Sequence, residues 1–222
     1  MKYPFFITIL LLFTLSLQAQ RVGFNKAKIN FTEVWVWEYT DINGNKTEMA
    51  IYREPKLNYW LLTSETYGST DEMCDWIILK PDGICYFAYK NAELDAGKTL
   101  LKMKMDVPKI KTMPLYWRKT GKRKFFGDKS LGFPRFNGIE YTVSYLKTKE
   151  KSSFYLANTN ADFTPLSYFN DLETDAKMPI SFPKDIPSNK VVLSEKAFGL
   201  KYSVGYSFKY ISHTEYHINF SE

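Results

Sequence analysis

Apolar and polar side chains alternate along several stretches of the chain, most clearly between residues 200 and 210. Apolar or aromatic side chains occupy the even positions of this stretch, namely Leu200, Tyr202, Val204, Tyr206, Phe208 and Tyr210. Because successive side chains of a strand point to opposite faces, the pattern predicts a strand with one aromatic and one polar face. A helix would instead scatter the intervening lysines through the apolar stripe.

Residues 31–40 and 46–53 are predicted to form a first hairpin, because an Asn-Gly pair lies between two strand-like segments. Asn-Gly supplies the positive φ angles that a tight turn requires. If these two residues alone form the turn, Trp35 lies opposite Tyr52 on one face of the hairpin.

Further strands are predicted along the rest of the chain. A segment at 57–66 precedes a second hairpin, whose turn is a Pro-Asp-Gly sequence. Leu101, Met103 and Met105 alternate with lysines, which indicates a half-buried strand. The remaining predicted strands cover residues 75–80, 84–90, 99–105, 139–146, 152–158, 191–197 and 213–220. The segment at 213–220 is either a last strand or a bent continuation of the strand at 200–210.

One helix is predicted near residues 165–175. Thr164 is a favourable N-cap, and Pro165 occupies the first helical position, where its missing N–H is tolerated. Leu166 and Phe169 would face inward. Residues 107–138 are rich in proline, glycine and lysine, and we interpret them as irregular, with a basic turn.

Together these elements predict a mainly β fold, a curved antiparallel sheet or half-barrel of about ten strands. Hairpin connections make neighbouring strands antiparallel, and a twisted open sheet of this size tends to curl. The helix would cover the concave face. An aromatic content of 17% also favours strands. A single β-rich domain is expected over residues 20–222.

The N-terminus has the features of a secretory signal. Lys2 precedes an apolar run from Phe5 to Leu17, which is too short to span a bilayer, and the small residue Ala19 follows. We therefore predict a signal peptide at 1–19, an exported protein and no transmembrane segment after cleavage. An uncleaved anchor is the alternative.

The chain is mildly basic, with a formal net charge of +6. In an exported protein this charge favours an anionic envelope surface as partner over nucleic acid, which such a protein would rarely meet. The candidate contact residues are Arg118, Lys119, Lys122, Arg123 and Lys124. A solvated hairpin tip is the alternative, because short basic runs are common on loops.

Neither the cysteines nor the histidines predict a site. Cys85 would lie opposite Leu79 in the second hairpin, which leaves Cys74 roughly 17 Å further along, so no disulfide is predicted. His213 and His217 would lie about 13 Å apart on one strand, too far to share a metal ion.

Familiar catalytic motifs are also missing from the sequence. It has no Gly-x-Ser-x-Gly nucleophile elbow, no His-Glu-x-x-His and no phosphate-binding glycine loop. We therefore predict a protein that is not an enzyme and that uses no cofactor. An enzyme is the last-ranked alternative, because acid–base carboxylate pairs leave no local signature.

The order of elements resembles that of a known family. The predicted signal is followed by the hairpin at 31–53, a Lys/Thr/Gly-rich turn at 119–122, a hairpin at 139–159, a helix and a proline-rich connector at 178–187. This layout resembles small Gram-negative envelope proteins grouped with the Lol lipoprotein carriers. The resemblance implies an apolar hollow that holds acyl chains, in the periplasm or at the cell surface.

A surplus of apolar strand faces over one short helix predicts such a hollow from the pattern itself. Its candidate lining residues are Tyr202, Val204, Tyr206, Phe208, Tyr210, Leu101, Met103, Met105 and Phe169. The expected function is the binding of a lipid or lipoprotein acyl chain. The alternative is a structural or surface-interaction envelope protein without a small ligand.

Overall fold

The part of the chain that the structure describes contains eleven strands in one sheet. In this computed structural model the described residues are 26–41, 43–67, 74–90, 98–107, 109–128, 130, 132, 134–144, 151–169, 180–198 and 205–221. The predicted signal peptide at 1–19 lies outside these ranges and stays a prediction.

The sheet is open and antiparallel, which confirms the predicted mainly β fold and is consistent with a curved sheet or half-barrel. Its strands are β1 (Lys26–Thr40), β2 (Lys46–Glu54), β3 (Tyr59–Thr63), β4 (Cys74–Leu79), β5 (Ile84–Lys90), β6 (Lys98–Lys104), β7 (Trp117–Phe126), β8 (Phe136–Ser144), β9 (Lys151–Asn158), β10 (Lys190–Phe198) and β11 (Gly205–Ser221). Their order is β6-β5-β4-β3-β2-β1-β11-β10-β9-β8-β7. The two edge strands are therefore β6 and β7.

Contacts divide the chain into a large unit, Asn30–Tyr216, and a small one, Met1–Ile29 with His217–Glu222. In the small unit the described residues are the start of β1 and the end of β11, where Ile29 and Ile218 are buried. The remaining strands, both helices and the core described below belong to the large unit.

Two short helices accompany the sheet, α1 (Ser64–Tyr67) and α2 (Thr164–Phe169). The second lies where a helix is predicted, and its Leu166 is fully buried. The Asp162 carboxylate accepts a hydrogen bond from the Thr164 N–H at 2.9 Å, which satisfies a free donor at the helix start. Residues 170–175 of the predicted helix lie outside the described ranges.

Helix α1 replaces the end of a predicted strand. The sequence pattern predicted a strand over 57–66, but β3 ends at Thr63. The Thr66 hydroxyl donates to the backbone oxygen of Ala50 at 2.6 Å, on neighbouring strand β2. This side-chain bond competes with continued strand pairing, which is a known tendency of Ser and Thr.

The predicted register of the first hairpin is wrong by one residue. The Asp41 N–H donates to the oxygen of Asn45 at 2.9 Å, so the loop between them has three residues rather than two. Trp35 consequently lies opposite Ile51, not Tyr52.

Side-chain hydrogen bonds explain the longer turn. The Asp41 carboxylate accepts bonds from the N–H groups of Asn43 and Asn45, both at 2.8 Å. Gly44 adopts a φ of 83°, which glycine tolerates without strain. An aspartate that binds backbone groups further along the chain favours this kind of loop.

Strand β7 is the main element that the sequence pattern did not predict. Residues 118–125 were interpreted as irregular around a basic turn, but they form an extended edge strand that pairs with β8. Lys119 pairs with Tyr141 and Arg123 with Ile139, so β7 carries two extra residues in a bulge. All eight residues are exposed, which leaves no apolar alternation to indicate a strand.

One face of the sheet, here called the inner face, forms the core. Its buried side chains on β1 to β5 are Trp35, Trp37, Met49, Ile51, Trp60, Leu62, Ile77, Leu79, Cys85 and Phe87. Helix α2 and the loop before it cover this face with Phe163, Leu166 and Tyr168. The predicted covering of an apolar sheet face by this helix therefore agrees with the structure.

Candidate functional site

The predicted hollow residues on β11 do not form a uniform lining. Tyr206 and Phe208 are buried in the core, but Tyr210 is only half-buried. Ile211 packs against the core instead, so the even-numbered apolar alternation breaks after Phe208. Tyr202, Val204 and the side chain of Phe169 lie outside the described part of the chain.

The predicted residues on β6 lie at one edge of the inner face. Leu101 pairs with Phe87 and Met103 with Cys85, both of them core residues, so these side chains share their face. Leu101 is 45% exposed and Met103 38% exposed. Met105 follows the strand and packs partly against the core.

The centre of the inner face is filled by its own aromatic rings. Trp37 lies 5.4 Å from Phe208 and 5.9 Å from Phe182 between ring centroids, and Trp35 lies 5.0 Å from Phe163. A cavity beside α2 has room for only about 20 Å³, the space of one water. A ligand in this part of the face would therefore have to displace side chains.

Residues 180–189, here called the strap, cross the inner face beside α2. Ile180 and Phe182 of the strap are buried in the core. The Tyr206 hydroxyl donates to the backbone oxygen of Ser181 at 2.8 Å. Three prolines were expected to make the connector at 178–187 extended, and its described part lies against the sheet.

A second set of bonds holds the strap near the start of β7. The Trp117 Nε1–H donates to the Asp185 carboxylate at 2.6 Å, and the Tyr116 hydroxyl donates to the same oxygen. Trp117 in turn packs on Phe154, with ring centroids 5.0 Å apart. Near its end, the backbone oxygens of Ser188 and Asn189 accept from the N–H groups of Phe163 and Thr159 at 3.5 and 3.0 Å. The strap is thus attached at its start, its middle and its end.

Glu195 is an acidic residue on the inner face of the sheet, opposite two core residues. It pairs with Tyr206 on β11 and with Phe154 on β9, which are both buried. Burial raises the pKa of Glu195 from an ordinary value of 4.5 to about 7, against the opposing effect of a hydrogen bond with Tyr206. Glu195 and Tyr206 also line an open depression of about 280 Å³.

This raised pKa makes stability depend on pH. Between pH 4.5 and 7 the folded state holds the Glu195 proton more firmly than the unfolded state does. The contribution of protonated Glu195 to the stability of the fold is therefore present below pH 4.5 and is lost as pH rises through 7. Between pH 5 and pH 8, we expect the free energy of unfolding of Glu195→Gln to fall by about 1–2 kcal/mol less than that of the wild type. Partial exposure of Glu195 keeps this difference small. Urea unfolding at both pH values measures this difference, and equal losses would contradict it.

Strand β7 brings the predicted basic residues together along one edge of the sheet. Lys122 lies 3.6 Å from the buried Glu140 carboxylate. Among the described residues, the other four cations, Arg118, Lys119, Arg123 and Lys124, form no ion pair. The run is therefore a strand, and the interpretation of it as a hairpin tip is wrong.

Exposed apolar side chains accompany these cations. Phe125 of β7 is 60% exposed, and Arg135 stacks over its ring at 5.0 Å. Leu115, two residues before β7, is fully exposed. An exposed aromatic side chain thus lies within the basic strand, and an exposed leucine lies in the turn that precedes it.

Cys85 is a free thiol buried on the inner face. It lies opposite Leu79, as predicted, and it forms no disulfide. Burial raises the pKa of the Cys85 thiol to about 12. The thiol therefore stays protonated and unreactive.

His213, Glu215 and His217 are exposed on β11. Within the described ranges, no three His, Cys, Asp or Glu side chains lie close enough to hold a metal ion. None of the helices in those ranges is long and apolar enough to cross a membrane.

Comparisons with protein-family models and with curated proteins each find no match for this sequence. The resemblance to the Lol carriers therefore rests on the layout of elements and stays a prediction. The basic edge strand and the Glu195–Tyr206–Ser181 contact come from the tertiary arrangement. A basic run at 118–124 was visible in the sequence, whereas the acidic Glu195 was not distinguished from other polar strand positions.

Proposed function

We propose that this protein is a non-catalytic binding protein that attaches to an anionic lipid surface of the cell envelope through β7. The observation that carries the proposal is the exposed strand with four cations that have no ion-pair partner among the described residues. Each basic side chain near an anionic membrane contributes about 1 kcal/mol to binding. The signal peptide predicted at 1–19 would bring the protein to such a surface.

The exposed apolar side chains favour a lipid surface over a soluble polyanion. Leu115 and Phe125 could enter the interfacial region while the neighbouring Lys and Arg side chains contact headgroups. A solvated edge strand that merely avoids aggregation would also carry lysines. It would gain nothing from a fully exposed leucine beside them.

The quadruple variant Arg118→Gln, Lys119→Gln, Arg123→Gln, Lys124→Gln tests this proposal. With vesicles of mixed anionic and neutral phospholipids, we expect its partition coefficient to fall roughly a hundredfold or more from the wild-type value. Lys122 is left unchanged because it lies beside the Glu140 carboxylate. Co-sedimentation at low and high salt measures binding, which salt should weaken.

A matched control removes the same charge elsewhere, at the exposed residues Lys28, Lys46, Lys56 and Lys102. This control should lose much less binding. Equal losses in both variants would mean that net charge, not β7, drives binding. Wild-type binding that is no stronger to anionic than to neutral vesicles would contradict the proposal. So would a free anionic polysaccharide that competes as well as vesicles do, because the partner would then be a soluble polyanion.

Hydrophobic-ligand binding is the second candidate function, favoured by Leu101 and Met103. These side chains extend the inner face beyond its covered part and are partly exposed. Protein purified without detergent should then carry an extractable lipid that mass spectrometry detects. Clean extracts from wild type, together with no uptake of a fluorescent fatty acid, would contradict this second proposal.

A further inference from the structure

We propose that ionisation of Glu195 loosens the strap from the inner face. The group that links them is the Tyr206 hydroxyl, which donates to the Ser181 oxygen at 2.8 Å. Tyr206 lies directly opposite Glu195 in the pairing of β10 with β11 and lines the same depression, so the two side chains are within reach of each other. The proposal is independent of the membrane-binding function.

The mechanism follows from the number of protons that the Tyr206 hydroxyl can donate. A tyrosine hydroxyl has one proton to donate and can accept as well. When Glu195 is neutral, its own O–H can donate to the Tyr206 oxygen, and Tyr206 still donates to Ser181. When Glu195 is ionised it can only accept, so it competes with the Ser181 oxygen for the single Tyr206 proton. A charge-assisted bond is the stronger of the two, and the Ser181 oxygen loses its donor.

Release at Ser181 would act on the core directly. The next residue, Phe182, lies 5.8 Å from Phe163 and 5.9 Å from Trp37 between ring centroids. The Asp185 attachment to Trp117 does not involve Glu195. Only the first part of the strap would therefore be freed, and its movement would uncover the aromatic inner face.

Other charged groups around Glu195 do not remove this competition. On β9 its partner is Phe154, which does not titrate. Glu38 and Lys196 line the same depression as Glu195, but neither is among the groups that shift the pKa of Glu195. Lys209 on β11 bonds Glu38 at 3.3 Å. On the strap, the Asp185 carboxylate accepts from Trp117 at 2.6 Å.

Hydrogen exchange of strap peptides, corrected for the intrinsic pH dependence of exchange, tests the proposal at pH 5.5 and pH 8.5. In the wild type we expect strap protection to fall about tenfold at the higher pH, as expected for the loss of one hydrogen bond. Glu195→Gln should keep its protection at both pH values, because glutamine does not titrate. Tyr206→Phe, which keeps the ring but not the hydroxyl, should show low protection at both.

Two controls separate this effect from general unfolding. Peptides from the β1–β2 hairpin should show no comparable change, and Glu65→Gln, at an exposed position on α1, should behave like the wild type. A pH-dependent loss of equal size in Glu195→Gln would overturn the proposal. Wild-type protection that does not change with pH would overturn it as well.

Discussion

Replacing Trp37 with alanine is expected to lower the free energy of unfolding by about 4 kcal/mol, within the usual range for a buried Trp or Phe. Trp37 is fully buried on β1 and contacts rings from β11, the strap and the loop before α2. Its Nε1–H donates to the backbone oxygen of Val192 at 3.0 Å. The substitution therefore leaves a cavity and also a buried carbonyl without its donor. Urea unfolding at constant pH measures the loss.

Two variants make the Trp37 result specific. Trp37→Phe keeps most of the ring but not the N–H, so it should cost roughly 1–3 kcal/mol. Leu115→Ala, at a fully exposed position, should change stability by less than about 0.5 kcal/mol. A cost below about 1 kcal/mol for Trp37→Ala would show that this ring is not central to the core.

Replacing Arg53 with alanine is expected to lower the free energy of unfolding by about 3 kcal/mol, the second large effect. Arg53 is buried, and its Nη1 lies 3.0 Å from the Glu33 carboxylate. Its Nε–H donates to Asn58 at 3.0 Å, and its guanidinium lies 5.5 Å from the centroid of the Trp60 ring. Removing it leaves the half-buried Glu33 carboxylate without its cation, with the Trp35 Nε1–H at 3.1 Å as its remaining donor, and it leaves the Asn58 amide oxygen without the Arg53 donor. Chemical denaturation is again the measurement.

An exposed ion pair supplies the control for Arg53. Lys46 lies 2.9 Å from Glu38, but its side chain is 64% exposed, so Lys46→Ala should cost less than about 1 kcal/mol. Combining Arg53→Met with Glu33→Gln should recover part of the loss, because no unpaired charge then remains. If Arg53→Ala lowers the free energy of unfolding no more than Lys46→Ala does, burial of the Arg53–Glu33 pair contributes nothing to stability.

The Arg53 cluster also explains how a turn is attached to the helix side of the core. Asn58 has a φ of 53°, an uncommon conformation for a residue other than glycine. Its side-chain amide donates to the backbone oxygen of Asp162 at 2.9 Å, and Trp60 donates to the same oxygen at 2.8 Å. Nothing in the sequence connects residue 58 with residue 162. Only the fold brings them together.

Elements with strong local signals could be predicted from the sequence. The second hairpin was identified from its Pro-Asp-Gly turn, and Cys85 lies opposite Leu79 as expected. The helix was located at Thr164 from its capping residues and its proline. Strand β7 was not predicted because an exposed edge strand needs no apolar face. Its sequence therefore shows no alternation of apolar and polar residues. The register of the first hairpin was predicted wrongly because the Asp41 carboxylate stabilises a longer turn.

The local pattern of residues was sufficient to predict the β class of this protein and to place Tyr206 and Phe208 on one face of a strand. These follow from local geometry, since a strand exposes alternate residues to opposite faces. Tertiary structure alone decided that β7 is an open edge, that the aromatic face is filled and that Glu195 meets Tyr206 beneath the strap. Those features depend on which distant segments pair and pack together, and no local pattern encodes that choice.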